Sequence, residues 1–315
     1  MSRIQANLLL LIVAAVWGTT FVAQQQVLEH LGPFLYTGLR FLLGALVIVP
    51  LAWREYRKLG ERGIRFDCHD LQGSVAMGGL LFGGIILQQI GIGETTVTHA
   101  GFLTVLYVPL VPLLAWGLQR QWPHPGIWLG VAGSLLGTWL LTGGAFSEFS
   151  RGDLWVIAST LFWALHMLYI GRVAGRKDAP IGVALVQFMV CGLLALGWGL
   201  ASEPVSAAHL QGALPAILYG GLLSVGLGFT LQVIAQRHTG AADAAILLAS
   251  ETLFAALGGA LILGERLAPL QLAGGLLILA SILAVQLLPH WLARCARGNA
   301  VSRHDEARVP QPGQG

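Results

Sequence analysis

The residue with the most chemistry to offer is Glu251, a carboxylate set in an apolar stretch, about ten residues from either end of segment 241–263. Membrane-insertion scales put the cost of a charge at such depth at about 2.5–3.5 kcal/mol. Two active roles are open to it: loading and releasing a proton, or pairing with a substrate ammonium. A third, inert role is that of a neutral acid hydrogen-bonded to a neighbouring helix. Asp243 and Ser250 share its helical face, so that stripe is expected to look onto a wet cavity. Arg40 is the second charge in an apolar setting, near one-third depth of segment 33–53. Its forked donors suit a substrate carboxylate. Snorkelling outward, or pairing with a fixed acceptor, are its structural alternatives.

Neutral polar and aromatic residues accompany these charges. Trp17, Thr20 and Gln24 fall at i, i+3 and i+7, one stripe of a first helix, and Trp163 with His166 repeats the spacing in a sixth. The two tryptophans suit opposite walls of a central cavity. His166 admits proton carriage, with hydrogen-bonded packing as the plainer reading. Gln88, Gln89, Gln187 and Gln232 are buried amides that must bond neighbouring helices or face water and substrate. Gln232 shares a small, polar stripe with Ser224 and Gly228. Tyr107 stands in the first half of the chain where Glu251 stands in the second. Pro109 and Pro112 follow it and remove two backbone donors, which predicts a bend in the fourth helix, either a hinge or a static kink.

Other chemistries lack their residues. The sequence holds no G-x-S-x-G elbow, no H-E-x-x-H and no nucleotide-binding loop, which argues against an enzyme or a primary pump subunit. Cys68, Cys191 and Cys295 have neither metal-ligand spacing nor a disulfide framework. No metal or cofactor is expected, beyond a proton as coupling ion. The net charge of +3 comes from basic residues in short loops rather than an aromatic-interleaved patch, so nucleic acid is not an expected partner.

The elements that must position these residues are membrane helices. Hydrophobic residues make up 55% of the 315-residue chain and charged residues 10%, against about 25% charged in soluble domains. Apolar runs of roughly 20 residues recur, the length that spans about 30 Å of hydrocarbon. Ten such spans are predicted, at 6–26, 33–53, 70–91, 98–119, 125–143, 152–172, 179–200, 212–236, 241–263 and 268–288. They read as one five-span unit written twice. Gly78-Gly79-Leu80-Leu81 returns as Gly220-Gly221-Leu222-Leu223, Trp17 as Trp163, Pro33 as Pro180, and Pro125–Gly130 as Pro269–Gly274, at offsets of 142, 146, 147 and 144. Five crossings leave the chain on the far side, so the second copy is expected to insert upside down, an architecture of many secondary transporters. The expected units are a first repeat over 1–145, a second over 146–289, and a disordered polar tail over 290–315. Small-residue faces, Gly126-xxx-Gly130-xxx-Ser134 among them, point to close helix packing. On spans five and ten they leave monomer and homodimer both open.

With the N-terminus inside, fifteen basic residues fall on the inner side, Arg151 and Arg266 fall outside, and Arg40 lies within a span. That asymmetry predicts cytoplasmic termini in an inner or plasma membrane. Segment 6–26 is too long for a cleavable leader and lacks an A-x-A site, so it is read as the first permanent span.

Two stretches carry a family resemblance. SETLFAALGGALILGERLAPLQLAGGLLILASILAV (Ser250–Val285), with its GERL-x-P-x-Q turn at Gly264–Gln271, resembles the last two spans of EamA-type members of the drug/metabolite transporter superfamily. AAVWGTTFVA (Ala14–Ala23) is similar to the first-span Trp-Gly motif, and Arg40 in LRFLLGALV to the basic residue of the second span. The resemblance implies ten helices in two inverted repeats, cytoplasmic termini, and movement of small metabolites or drugs. Two departures stand out. Thr252 follows Glu251 where the family often has Pro, which argues against a hinge at Glu251, and the first repeat has Gln121 where the second has Glu265.

The expected function is therefore a secondary transporter, an exporter of small metabolites such as amino acids or their derivatives. The alternative is a proton-coupled extruder of lipophilic cations, which Arg40 would oppose if it lined the site.

Overall fold

A computed structural model of the chain describes residues 1–95, 97–120, 122–123, 125–144, 150–175, 178–262 and 268–285. Gln121, Arg176, Lys177, the first half of the GERL-x-P-x-Q turn (residues 264–267), Cys295 and the expected tail lie outside these residues.

Every regular element among the described residues is helical. They are α1 (Arg3–Gln26), α2 (Pro33–Glu61), α3 (Cys68–Glu94), α4 (Val97–Thr104), α5 (Tyr107–Gln119), α6 (Pro125–Leu141), α7 (Arg151–Val173), α8 (Pro180–Ser202) and α9 (Ala207–Tyr219). A π-helical segment (Gly220–Phe229) joins α9 to α10 (Thr230–Gln236), and α11 (Ala241–Leu248), α12 (Glu251–Ile262) and α13 (Pro269–Val285) follow. Among the described residues, seven helical stretches are long and apolar enough to cross a bilayer, and α6 and α13 are shorter apolar helices. Large apolar side chains point outward, Leu46 at 67%, Leu129 at 65% and Leu276 at 68% exposure. In water that surface would aggregate; in lipid it is the expected exterior. The protein is a multi-pass membrane protein.

Several elements differ from the sequence expectation. α2 runs to Glu61, about two turns past the expected end at 53. The eighth span is one rod whose middle is wound as a π-helix rather than an uninterrupted α-helix. The fourth and ninth spans are each broken, at Val105–Leu106 and at Ala249–Ser250. Pro109 explains the first break. It has no N–H to give the Val105 carbonyl, which instead accepts from Val108, three residues on, at 2.9 Å. Pro112 sits further along, inside α5. The second break forms without a proline. The Ser250 hydroxyl donates to the Leu247 carbonyl at 2.6 Å and the Thr252 hydroxyl to the Ala249 carbonyl at 2.9 Å. Such side-chain back-bonds compete with the helical ladder.

Helix neighbours keep their pattern when the two halves are exchanged. α2 packs on α8; α3 lies on α7 as the α9–α10 rod lies on α1; α4–α5 lies on α7 as α11–α12 lies on α1. The central pair is fastened at both ends. Glu203, just past α8, accepts from the amides of Phe34 and Leu35 at 2.9 and 2.8 Å at the start of α2. Glu55, near the end of α2, accepts from Ile181 and Gly182 at 3.2 and 2.7 Å at the start of α8. Each helix opens on a proline, Pro33 or Pro180, and each open N-terminus receives a carboxylate from its partner. The two helices therefore run antiparallel. α6 and α13 pack together within the chain, where a Cβ on Gly137 would lie 2.8 Å from the Gly274 carbonyl oxygen.

Candidate functional site

The breaks in the fourth and ninth spans put two polar residues at matching places: Tyr107 opens α5 and Glu251 opens α12. Glu251 is held there by a close helix crossing. A Cβ on Gly18 would overlap the Glu251 carbonyl oxygen and lie 2.8 Å from the Ala255 amide, so glycine at 18 is what lets α1 meet the break.

Between the half-chains lies a narrow, partly open cavity. Trp17, Thr20 and Gln24 line it from α1, Arg40 from α2, Gln88 from α3, Tyr107 from α5, Trp163 from α7, Gln232 from α10 and Glu251 from α12. The sequence proposed each of these. Its wall also contains Phe21, Thr104, Ser224 and Phe229.

Arg40 and Glu251 both reach this space without reaching each other; no ion pair joins them among the described residues. Arg40 is 1% exposed and its guanidinium donates to the Gln24 side-chain carbonyl at 3.2 Å. It stacks on the Tyr36 ring, 4.8 Å from the centroid. The snorkelling alternative is thereby corrected: the stacking and the Gln24 acceptor hold the charge inward. Glu251 is 4% exposed, and one of its carboxylate oxygens has no hydrogen-bond partner in the protein. Gln232 Oε1 and Trp163 Nε1 are in the same condition. Each such atom costs about 1–3 kcal/mol when left unmet, so these three are available to a polar substrate.

The aromatic wall has a hub the sequence reading missed. Phe229 touches Trp17 with ring centroids 4.5 Å apart and stacks on Trp163 at 5.9 Å. Phe41 and Phe188 also pack on it, at 5.6 and 6.2 Å. Phe41 and Phe188, which flank the hub, are an identity at the same 147-residue offset as Pro33 and Pro180, but nothing in the sequence marks Phe229 itself. The indole of Trp17 donates to the Ser224 carbonyl at 3.2 Å, inside the π-helical segment. Gly228 makes room for it, because a Cβ there would lie 2.7 Å from the indole nitrogen.

Three expected wall residues stand elsewhere. His166 and Gln187 are fully buried and meet each other at 2.8 Å, away from the cavity lining. The contact joins His166 Nε2 to Gln187 Oε1 and leaves His166 Nδ1 and Gln187 Nε2 without partners in the protein. Asp243 lies beyond the helix break at the N-terminal end of the molecule, where Arg3 holds it at 2.6 Å. Gln88 does line the cavity while donating to Thr104 at 2.9 Å, and Gln89 donates to the Gln24 carbonyl at 2.8 Å. No cluster of three or more His, Cys, Asp or Glu able to hold a metal ion occurs among the described residues.

The family model described as the EamA-like transporter family matches residues 4–143 and again 150–287. The chain belongs to this family. It is similar to an uncharacterized transporter of Archaeoglobus fulgidus, 27% identical over 90% of this chain and 87% of that protein. It is also similar to the uncharacterized transporter YwfM of Bacillus subtilis, 26% identical over 90% of this chain and 94% of that one. A chloroplastic WAT1-related protein of Arabidopsis thaliana is 25% identical over 85% of this chain and 66% of its own length. A solved crystal structure shares the fold at a TM-score of 0.75 and 20% identity, over 91% of this chain and 99% of that chain. This EamA-like protein is a membrane transporter of the drug/metabolite type, and the central cavity is its candidate substrate site.

Proposed function

We propose that the chain is a secondary active transporter that exports small polar metabolites, amino acids or their derivatives, by alternating access. The observation that carries the reading is the pair of opposite charges, Arg40 and Glu251, lining one cavity without neutralising each other. A zwitterion meets both: its carboxylate takes the guanidinium fork and its ammonium takes the acid. The aromatic hub around Phe229 offers apolar surface to a side chain. A lipophilic cation finds the acid and the aromatics but must also approach Arg40, so the drug-extrusion reading ranks second.

The transport cycle is a rocking of two inverted five-span repeats, 1–145 and 146–289, around this cavity. The reciprocal Glu55 and Glu203 caps and the exchangeable helix neighbours support that symmetry. The broken fourth and ninth spans supply the bendable elements, with Pro109 at one break and Ser250 and Thr252 at the other. Glu251 serves as counter-charge or proton carrier, and no metal or organic cofactor enters the cycle. The protein works as a monomer or homodimer in the cell membrane, with both termini cytoplasmic.

A metabolite efflux screen in cells lacking or overproducing the chain tests the substrate class. Extracellular amino acids should rise with overproduction. A rise confined to lipophilic cations would favour the second reading.

A further inference from the structure

A basic crevice opens where the last turns of α2 meet the start of α8, enclosing about 930 Å³ and lined by Arg54, Glu55, Lys58, Arg62, Asp178 and Arg237. Its two acids are already engaged. Glu55 accepts the first amides of α8, and Asp178 holds Arg237 at 2.5 Å and Arg62 at 3.7 Å. Arg54 and Lys58 are exposed and form no ion pair among the described residues. The crevice is therefore a site for an anion.

Around α2 from the crevice runs an apolar groove of about 910 Å³, walled by Val49, Trp53, Tyr56, Phe66, Leu185 and Val186. It shares Glu55 and Leu59 with the crevice, so the two are continuous. Trp53 is 63% exposed and Tyr56 60%, their rings stacked at 6.3 Å. Exposed Trp and Tyr on a membrane helix mark headgroup depth. A soluble anion fills the crevice and leaves the groove unused. A molecule with a phosphate at one end and a hydrocarbon chain at the other fits both.

We propose that this α2–α8 corner binds an anionic phospholipid, its phosphate on Arg54 and Lys58, its glycerol level with Trp53 and Tyr56, and one acyl chain running inward along Val49, Leu185 and Val186. The site abuts the Glu55 cap, so an occupying lipid braces the joint between the two central helices. This inference rests on the membrane embedding of the chain and is independent of what it transports.

Native mass spectrometry of the full chain, released from vesicles of equal phosphatidylglycerol and phosphatidylcholine, tests the site. Phosphatidylglycerol should be retained preferentially, and Arg54→Gln with Lys58→Gln should lower that preference by roughly ten- to thirty-fold. Arg151→Gln, on a distant helix start, should leave it unchanged, and inorganic phosphate should not displace the lipid. Equal retention of both lipids, an unaffected double variant, or displacement by inorganic phosphate would each overturn the proposal. Should the double variant fail to fold, brominated lipids decide the question on an intact crevice. The quenching lost in Trp53→Phe should be larger with brominated phosphatidylglycerol than with brominated phosphatidylcholine, and equal losses overturn the site.

Discussion

Arg40 and Glu251 have different surroundings, and on the proposed reading these divide the work of the cavity between them. Arg40 is oriented by Gln24 and Tyr36, so its charge has a fixed direction before substrate arrives. Glu251 keeps an unbonded oxygen and is free to take a proton or an ammonium. On this account Arg40→Gln removes a charge-assisted contact worth about 1.5–3 kcal/mol. KM for an amino acid should rise roughly ten- to a hundred-fold, and that for the matching decarboxylated amine should stay constant, as competition assays in proteoliposomes would measure. The residue types were legible in the sequence because a buried charge in an apolar span is hard to overlook. Which neutral residues face the cavity was not. His166 and Gln187 looked as suitable as Thr20 and Gln232, and only the distance between two helices shows that they meet each other. Phe229 went unnoticed because one more phenylalanine in an apolar span carries no sign of its position.

At the scale of elements, α2 and α8 are fastened to each other at both ends. Glu55 and Glu203 cap each other's helices from opposite ends of one antiparallel pair, and each cap is worth about 1 kcal/mol. Glu55→Ala and Glu203→Ala should each lower thermal stability in detergent, and their effects should add, because the two sites share no contact. Strong coupling between them would mean that the joint fails as a unit. Seven of the expected spans were readable from apolar run length, and the first break from Pro109. The second break was hidden, since two hydroxyls that bond back to carbonyls look like ordinary polar residues in sequence. The π-helical middle of the eighth span was equally silent; it shows in the structure as the segment whose Ser224 carbonyl receives Trp17.

For the whole molecule, the account joins a near-symmetric scaffold to an asymmetric site. Trp17 and Trp163, Phe41 and Phe188, and the two carboxylate caps all follow the repeat, whereas Glu251 faces Tyr107 and Arg40 faces Gln187 in register. The doubling was legible because Pro33 and Pro180, or Gly78 and Gly220, keep nearly constant spacing. The upside-down insertion proposed for the second repeat follows from counting five spans, and it has a direct check. An impermeant maleimide applied to intact cells should miss exposed Cys68 and label Cys in a Pro204→Cys variant; labelling of both from outside would break the topology. The central claim concerns Glu251 as the charge that makes this cavity a transport site. Its most direct test is pH-gradient-driven flux of a radiolabelled amino acid in proteoliposomes, wild type against Glu251→Gln at equal insertion. The account predicts that the variant loses the flux, and an undiminished, still pH-dependent flux would contradict it.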